Sequence, residues 1–272
     1  IPVHHASAGT TIVSNGTLKV SKKYDSGTTH TIRVVSGARF DMNGVQDVTA
    51  NIVLENGATF ANTGNAIDGK KAQAVSLTLE GNATAAFSNN FGLIGPSYGE
   101  TTLALGSNTL TLNGSKKDFW LCNTEITGDG TIYVEHGWLH PTNTASVGSA
   151  CTLNIPSGGG LNLEADLTVA NFVNSAKSGN IKGSSILTVT GQLTSGSAAI
   201  PKLTLASGAT VKATGTEQKV SSAFSASGTI NIDISDISQQ VRDAGDEGVP
   251  VLTVPKVPAG VRWNVTGADN FR

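Results

Sequence analysis

The densest run of chemically capable side chains is KKDFWLCNTEITGDGTIYVEHGWLHP, from Lys116 to Pro141. If Ile132 and Val134 point inward on an extended strand, Tyr133 and Glu135 point outward. Alternation with Leu139 inward puts His136, Trp138 and His140 on the outer face. Trp120 precedes Trp138 by 18 residues, which makes the two indoles near neighbours if the chain coils with a slightly longer period. Exposed aromatic faces with polar flanks suit stacking on sugar rings. The candidate ligand-binding set is therefore Trp120, Tyr133, His136, Trp138 and His140, with glycan as the first ligand expected. In the competing structural reading, Trp120 fills a small loop-covered core and Trp138 is a lone surface aromatic.

A metal reading of His136 and His140 fails on reach. On one strand they lie roughly 13 Å apart at about 3.3 Å per residue, whereas zinc sits about 2 Å from each ligand. A bend at Gly137 would be needed to bring them together. No metal, cofactor or catalytic residue is assigned.

Carboxylates are the other source of chemistry. Polysaccharide cleavage needs two or three of them converging, or an acidic cluster holding calcium. Asp25, Asp41, Asp47, Asp68, Asp118 and Asp129 are the candidates, and Asp25, Asp47 and Asp68 are spaced to form a ladder. Turn capping by aspartate accounts for the same residues. GPSYG, Gly95–Gly99, has a nucleophile-elbow spacing about Ser97, but strand rather than helix follows it, against the geometry that chemistry requires. Lysine pairs at Lys22-Lys23, Lys70-Lys71 and Lys116-Lys117 recur at 48 and 46 residues. They would line one side of a coiled chain, either guarding strand edges or meeting an acidic glycan.

The elements that position these groups are written in a repeat. VVSGARFDMNG, Val34–Gly44, has relatives in ENGATFANTG and ASGATVKATG. Turn glycines fall at Gly16, Gly37, Gly57, Gly81, Gly106 and Gly130, in steps of 21, 20, 24, 25 and 24 residues, and return at Gly208 and Gly228. A period in that range marks a repeat architecture. Between the glycines apolar residues alternate, as at Leu18/Val20, Leu110/Leu112, Ile132/Val134, Leu203/Leu205 and Ile230/Ile232, which predicts half-buried strands. A sandwich needs no such long-period self-similarity. The expectation is an all-β β-solenoid over residues 1–235. Its roughly ten coils at about 4.8 Å each would make a rod about 50 Å long. Each SGA marks a corner, and the apolar residue after it plugs the core.

Residues 236–272 differ, with Pro250, Pro255 and Pro258 interrupting the pattern. They are expected to cap the last coil, with Val251, Leu252, Val254, Trp263 and Val265 closing the core. A short helix is expected from Ser235 to Gly245.

GATF, GDGTIYV and LALGSNTLTLNG resemble the autotransporter-associated β-strand repeat, over about Thr10 to Asp233. The resemblance implies a right-handed parallel β-helix exported to the bacterial surface or beyond, a passenger-like rod serving adhesion. The alternatives carried with it are a carbohydrate-active β-helix enzyme and a pure structural spacer.

Composition narrows the partners. Net charge is -2 and only 14% of residues are charged, unlike the clustered basic footprint of a nucleic-acid binder. No apolar run reaches the length of a membrane span. The chain opens IPVHHASAGTT, and Met42 is the only methionine, which reads as a processed product or an excised fragment, with any signal peptide already gone. Cys122 and Cys151 are too few for a disulfide scaffold; free thiols are expected, with Cys151 pointing inward, although stacking on adjacent coils would also permit a disulfide.

Overall fold

A computed structural model of the chain describes residues 9–21, 30–45, 48–64, 72–94, 99–143, 146–237, 248 and 250–267. Its strands pair in parallel with those one turn further on and stack as a β-solenoid of about nine turns, nearly all β. The alternating apolar residues explain this. A strand apolar on one face alone must bury that face, and the next turn supplies the same face again.

Each turn has three sides. Strands such as His30–Val34, Val48–Leu54 and Ala72–Leu79 build the first, with Ile32, Ile52 and Leu77 in register. Arg39–Asp41, Thr59–Asn62 and Ala83–Phe87 build the second, with Phe40, Phe60 and Ala85 in register. The third includes Ala72–Ala74, the start of the long strand Ala72–Leu79, on which Phe91–Leu93 pairs. The long strand Thr109–Cys122 then shows how the sides join, pairing with Ala83–Phe87 through its first half and with Phe91–Leu93 through its second.

The corners behave as the glycines predict. Gly37 and Gly57 adopt φ of 75° and 76°, a region that costs other residues a steric penalty. The following Ala38 and Ala58 are buried, and their amides donate to Val35 and Glu55 carbonyls, both at 3.0 Å. Inside, aromatic rings stack from turn to turn. Phe40 and Phe60 lie nearly parallel at 6.0 Å, Phe60 and Phe91 are 5.0 Å apart, and Phe91 meets Phe119 edge-on at 5.1 Å.

The ends depart from expectation. Leu252–Thr253 and Arg262–Thr266 continue the parallel pairing, on Gln218–Lys219 and on Thr229–Asp233. Val251, Leu252 and Val254 pack against the core. Trp263 and Val265, expected to close it, are instead 39% and 56% exposed, because no described rung lies beyond theirs. Leu18 is exposed at the opposite end for the same reason. Of the helix expected from Ser235, one 3-10 turn, Ser235–Ile237, is seen; residues 238–245 lie outside the described residues. Cys122 and Cys151 are free and buried. Among the described residues no helix is long and apolar enough to cross a membrane.

Candidate functional site

The third side carries the site. Its rungs include Ala72–Ala74, Phe91–Leu93, the second half of Thr109–Cys122, the second half of Thr131–Thr142, Gly159–Leu163 and Ile181–Gly183. Phe119, Leu121, Leu139, Leu161 and Leu163 point inward and are fully buried. Alternation therefore turns Asp118, Trp120, Trp138, His140, Asn162 and Lys182 to the outer surface.

At its centre His140 stacks on Trp120, ring centroids 4.0 Å apart. The register that pairs these two residues on neighbouring rungs sets the contact. Gly92 occupies the rung on the other side of Trp120, where a Cβ would come within 2.2 Å of the Trp120 carbonyl oxygen. Asp118 Oδ2 lies 3.3 Å from His140 Nδ1, and Glu164 Oε2 lies 3.1 Å from Nε2. Asn162 Nδ2 is 3.3 Å from Nε2. Carboxylates only accept hydrogen bonds, so the doubly protonated ring alone donates to both. His140, expected on the open outer face, is thus on that side of the rod but only 3% exposed.

Trp138 is half-buried on the adjoining column. Its indole lies over Gly160, where a Cβ would be 2.5 Å from the ring. Lys182 Nζ sits 4.3 Å from the ring centroid, a cation–π contact.

Tyr133 and His136 do not join this group. Tyr133 belongs to the second side, between Thr111 and Asn154. His136 is exposed at the corner between the two sides. Gly137, with φ of 87°, ends one side and begins the next, so a single phase of alternation does not run through it. There His136 lines an open cavity of about 420 Å³ with Asn113, Gly114, Ser115, Lys116, Gly137 and Gly158. The two histidines therefore serve different surroundings. Among the described residues no group of three or more His, Cys, Asp or Glu is placed to hold a metal ion.

No family model, curated protein or solved structure matches this chain. Its chemistry is read from its own geometry.

The remaining carboxylate candidates divide. Burial opposes charge on Asp41, but hydrogen bonds from the Thr63 hydroxyl and the Thr63 and Asn43 amides outweigh it and hold the carboxyl below its usual range. That is the turn-capping role. Asp118 belongs to the His140 cluster, and Asp129 is exposed in a turn. Asp25, Asp47, Asp68, Ser97, Lys22, Lys23, Lys70 and Lys71 lie outside the described residues.

Sequence reasoning missed Asn162, Glu164 and Lys182. The signal was available in the repeat, since Asn162 follows His140 by 22 residues, one turn of the coil.

Proposed function

We propose that this chain is a secreted or surface-displayed, non-catalytic rod of the autotransporter-passenger type, and that its third side contacts glycan. The observation that carries the reading is the grouping of Trp120, His140 and Trp138 on neighbouring rungs of one side, bordered by Asp118, Asn162, Glu164 and Lys182. The half-buried Trp120 and Trp138 leave aromatic area for stacking, the buried His140 fixes Trp120 in place, and the surrounding polar groups supply hydrogen bonds, the combination that ligand sites use. A stacked parallel sheet also keeps these groups at fixed spacing, so little ordering entropy is lost on binding. Export and adhesion rest on the resemblance of the repeat phrases to passenger domains.

A carbohydrate-active enzyme is the second reading, and Asp118 and Glu164 are the residues it would use. Both direct an oxygen at His140 from opposite sides, and the ring occupies the gap where a glycosidic bond would have to lie. That arrangement favours binding over cleavage.

The test is native affinity electrophoresis through gels cast with a panel of polysaccharides and mucin, with Trp138→Ala alongside. Retardation on a polymer, lost in the variant, is the expected result. Uniform mobility across the panel overturns glycan contact and leaves a spacer. Release of new reducing ends from a retained polymer would replace the binding reading by the enzymatic one.

A further inference from the structure

The corner cavity beside the tryptophan side has a composition of its own. Between Asn113 and Asp118 the strand Thr109–Cys122 takes five residue steps, while its partner takes two, from His136 to Trp138. The surplus of three is extruded as Ser115-Lys116-Lys117, while Gly114 still pairs with Phe87. Lys116 is the only lysine among the described residues in the left-handed region, with φ of 56°, where a side chain incurs strain that the surroundings must impose. Lys116 lines the cavity.

His136 completes the rim from the opposite strand. Its ring lies directly on Gly158, where a Cβ would be 2.6 Å from Nδ1. Gly114 and Gly137 also lack room for a side chain, against the Phe87 ring and the Lys117 carbonyl. Close packing thus requires glycine at all three positions, and Ser115 lines the cavity beside them. The Asn113 amide, a further donor at the lining, is held at 2.8 Å by Glu135 Oε2. Among the described residues that carboxylate is the one acidic group hydrogen-bonded to the lining. The volume, about 420 Å³, falls among small-molecule sites.

We propose that this cavity seats the carboxylate of an acidic sugar, a uronate unit of a polysaccharide. Lys116 and His136 would grip the carboxylate while the neighbouring units run across Trp138. The inference rests on the glycan reading of the third side and adds the substrate class. A chain of net charge -2 has no general attraction for polyanions, so acidic-glycan binding requires a local site such as this one.

Affinity electrophoresis through alginate, neutral dextran and dextran sulfate tests it. Alginate is expected to retard the protein most. Lys116→Gln and His136→Gln are each expected to weaken alginate binding about tenfold, the usual worth of a charge-assisted hydrogen bond. Lys116→Gly gives a check that a structural role would not pass. Relief of the left-handed backbone should raise its Tm, while its alginate affinity falls with the other variants. Alginate binding that survives all three substitutions overturns the proposal and leaves the glycan reading standing. So does equal retardation by dextran or by dextran sulfate. If no polymer retards the protein, the glycan reading fails. The cavity is then judged by the His136 imidazole NMR signals with glucuronate alone: a shift lost in Lys116→Gln supports the carboxylate site, and unmoved signals overturn it.

Discussion

His140 and Trp120, on neighbouring rungs, stack with their ring planes 27° from parallel, and this contact buries an imidazole between two carboxylates on what would otherwise be open surface. The stack organises the site. Trp120 shields one face of the ring from water, which strengthens the contacts to Asp118 and Glu164. In return, the ring anchored by those carboxylates holds the indole in place through the stack.

The two residues should therefore be energetically coupled. In a double-mutant cycle with Trp120→Ala and His140→Ala, the coupling is expected to be about 1 kcal/mol, as for other paired rings. Urea denaturation of the four proteins measures it. Strict additivity would mean that the rings are merely adjacent.

Asp41 should make stability depend on acid. Its folded carboxyl lies below the ordinary range because the Thr63 and Asn43 hydrogen bonds outweigh the effect of burial. A depressed value contributes stability that is fully present above the unfolded carboxylate pKa, about 3.9, and is lost as pH falls through the folded value. Asp41→Asn is expected to cost about 1–2 kcal/mol at neutral pH, with the difference from wild type shrinking in acid. Denaturation midpoints at neutral and acidic pH report this, and a penalty independent of pH would contradict it.

Much of the fold was legible because burial follows parity. Leu110, Leu112, Ile132, Val134, Leu203, Leu205 and Ile230 are all buried as their alternation predicts. Parity fails where the chain turns a corner, and Gly137 is such a corner. Tyr133, His136 and Trp138 are all expected on the outer surface as one site, yet they occupy the second side, the corner and the third side. Parity also says nothing about whether a further rung exists, so Trp263 and Val265 read as core although they are exposed. Glu164 was invisible for a different reason: its contact with His140 spans one turn, and only register shows which residues one turn apart meet.

Cys151 should be chemically silent. Burial pushes its thiol up to about 11, and a thiol rather than a thiolate is a poor nucleophile. Alkylation at mildly alkaline pH is expected to spare Cys151 in the folded protein and to modify it after denaturation. Mass spectrometry of the labelled peptides distinguishes the states. Rapid labelling of the native protein would show that the side chain is reachable by solvent.

The aromatic column offers the sharpest test of how the rod is held together. Phe91 touches Phe60, Phe87 and Phe119 at centroid distances of 5.0, 5.2 and 5.1 Å, so it joins consecutive turns. Phe91→Ala is expected to cost about 3–5 kcal/mol, the range for removing a buried ring that leaves a cavity. In a solenoid each turn contacts only its neighbours, so stability is close to a sum of nearest-neighbour terms. The loss should therefore be local. Hydrogen exchange should accelerate most in Thr59–Asn62, Ala83–Phe87 and Thr109–Cys122, while Leu187–Thr194 and Ile200–Leu205, many turns away, keep their protection. Uniform acceleration along the whole rod would instead mean that the turns unfold as one cooperative unit.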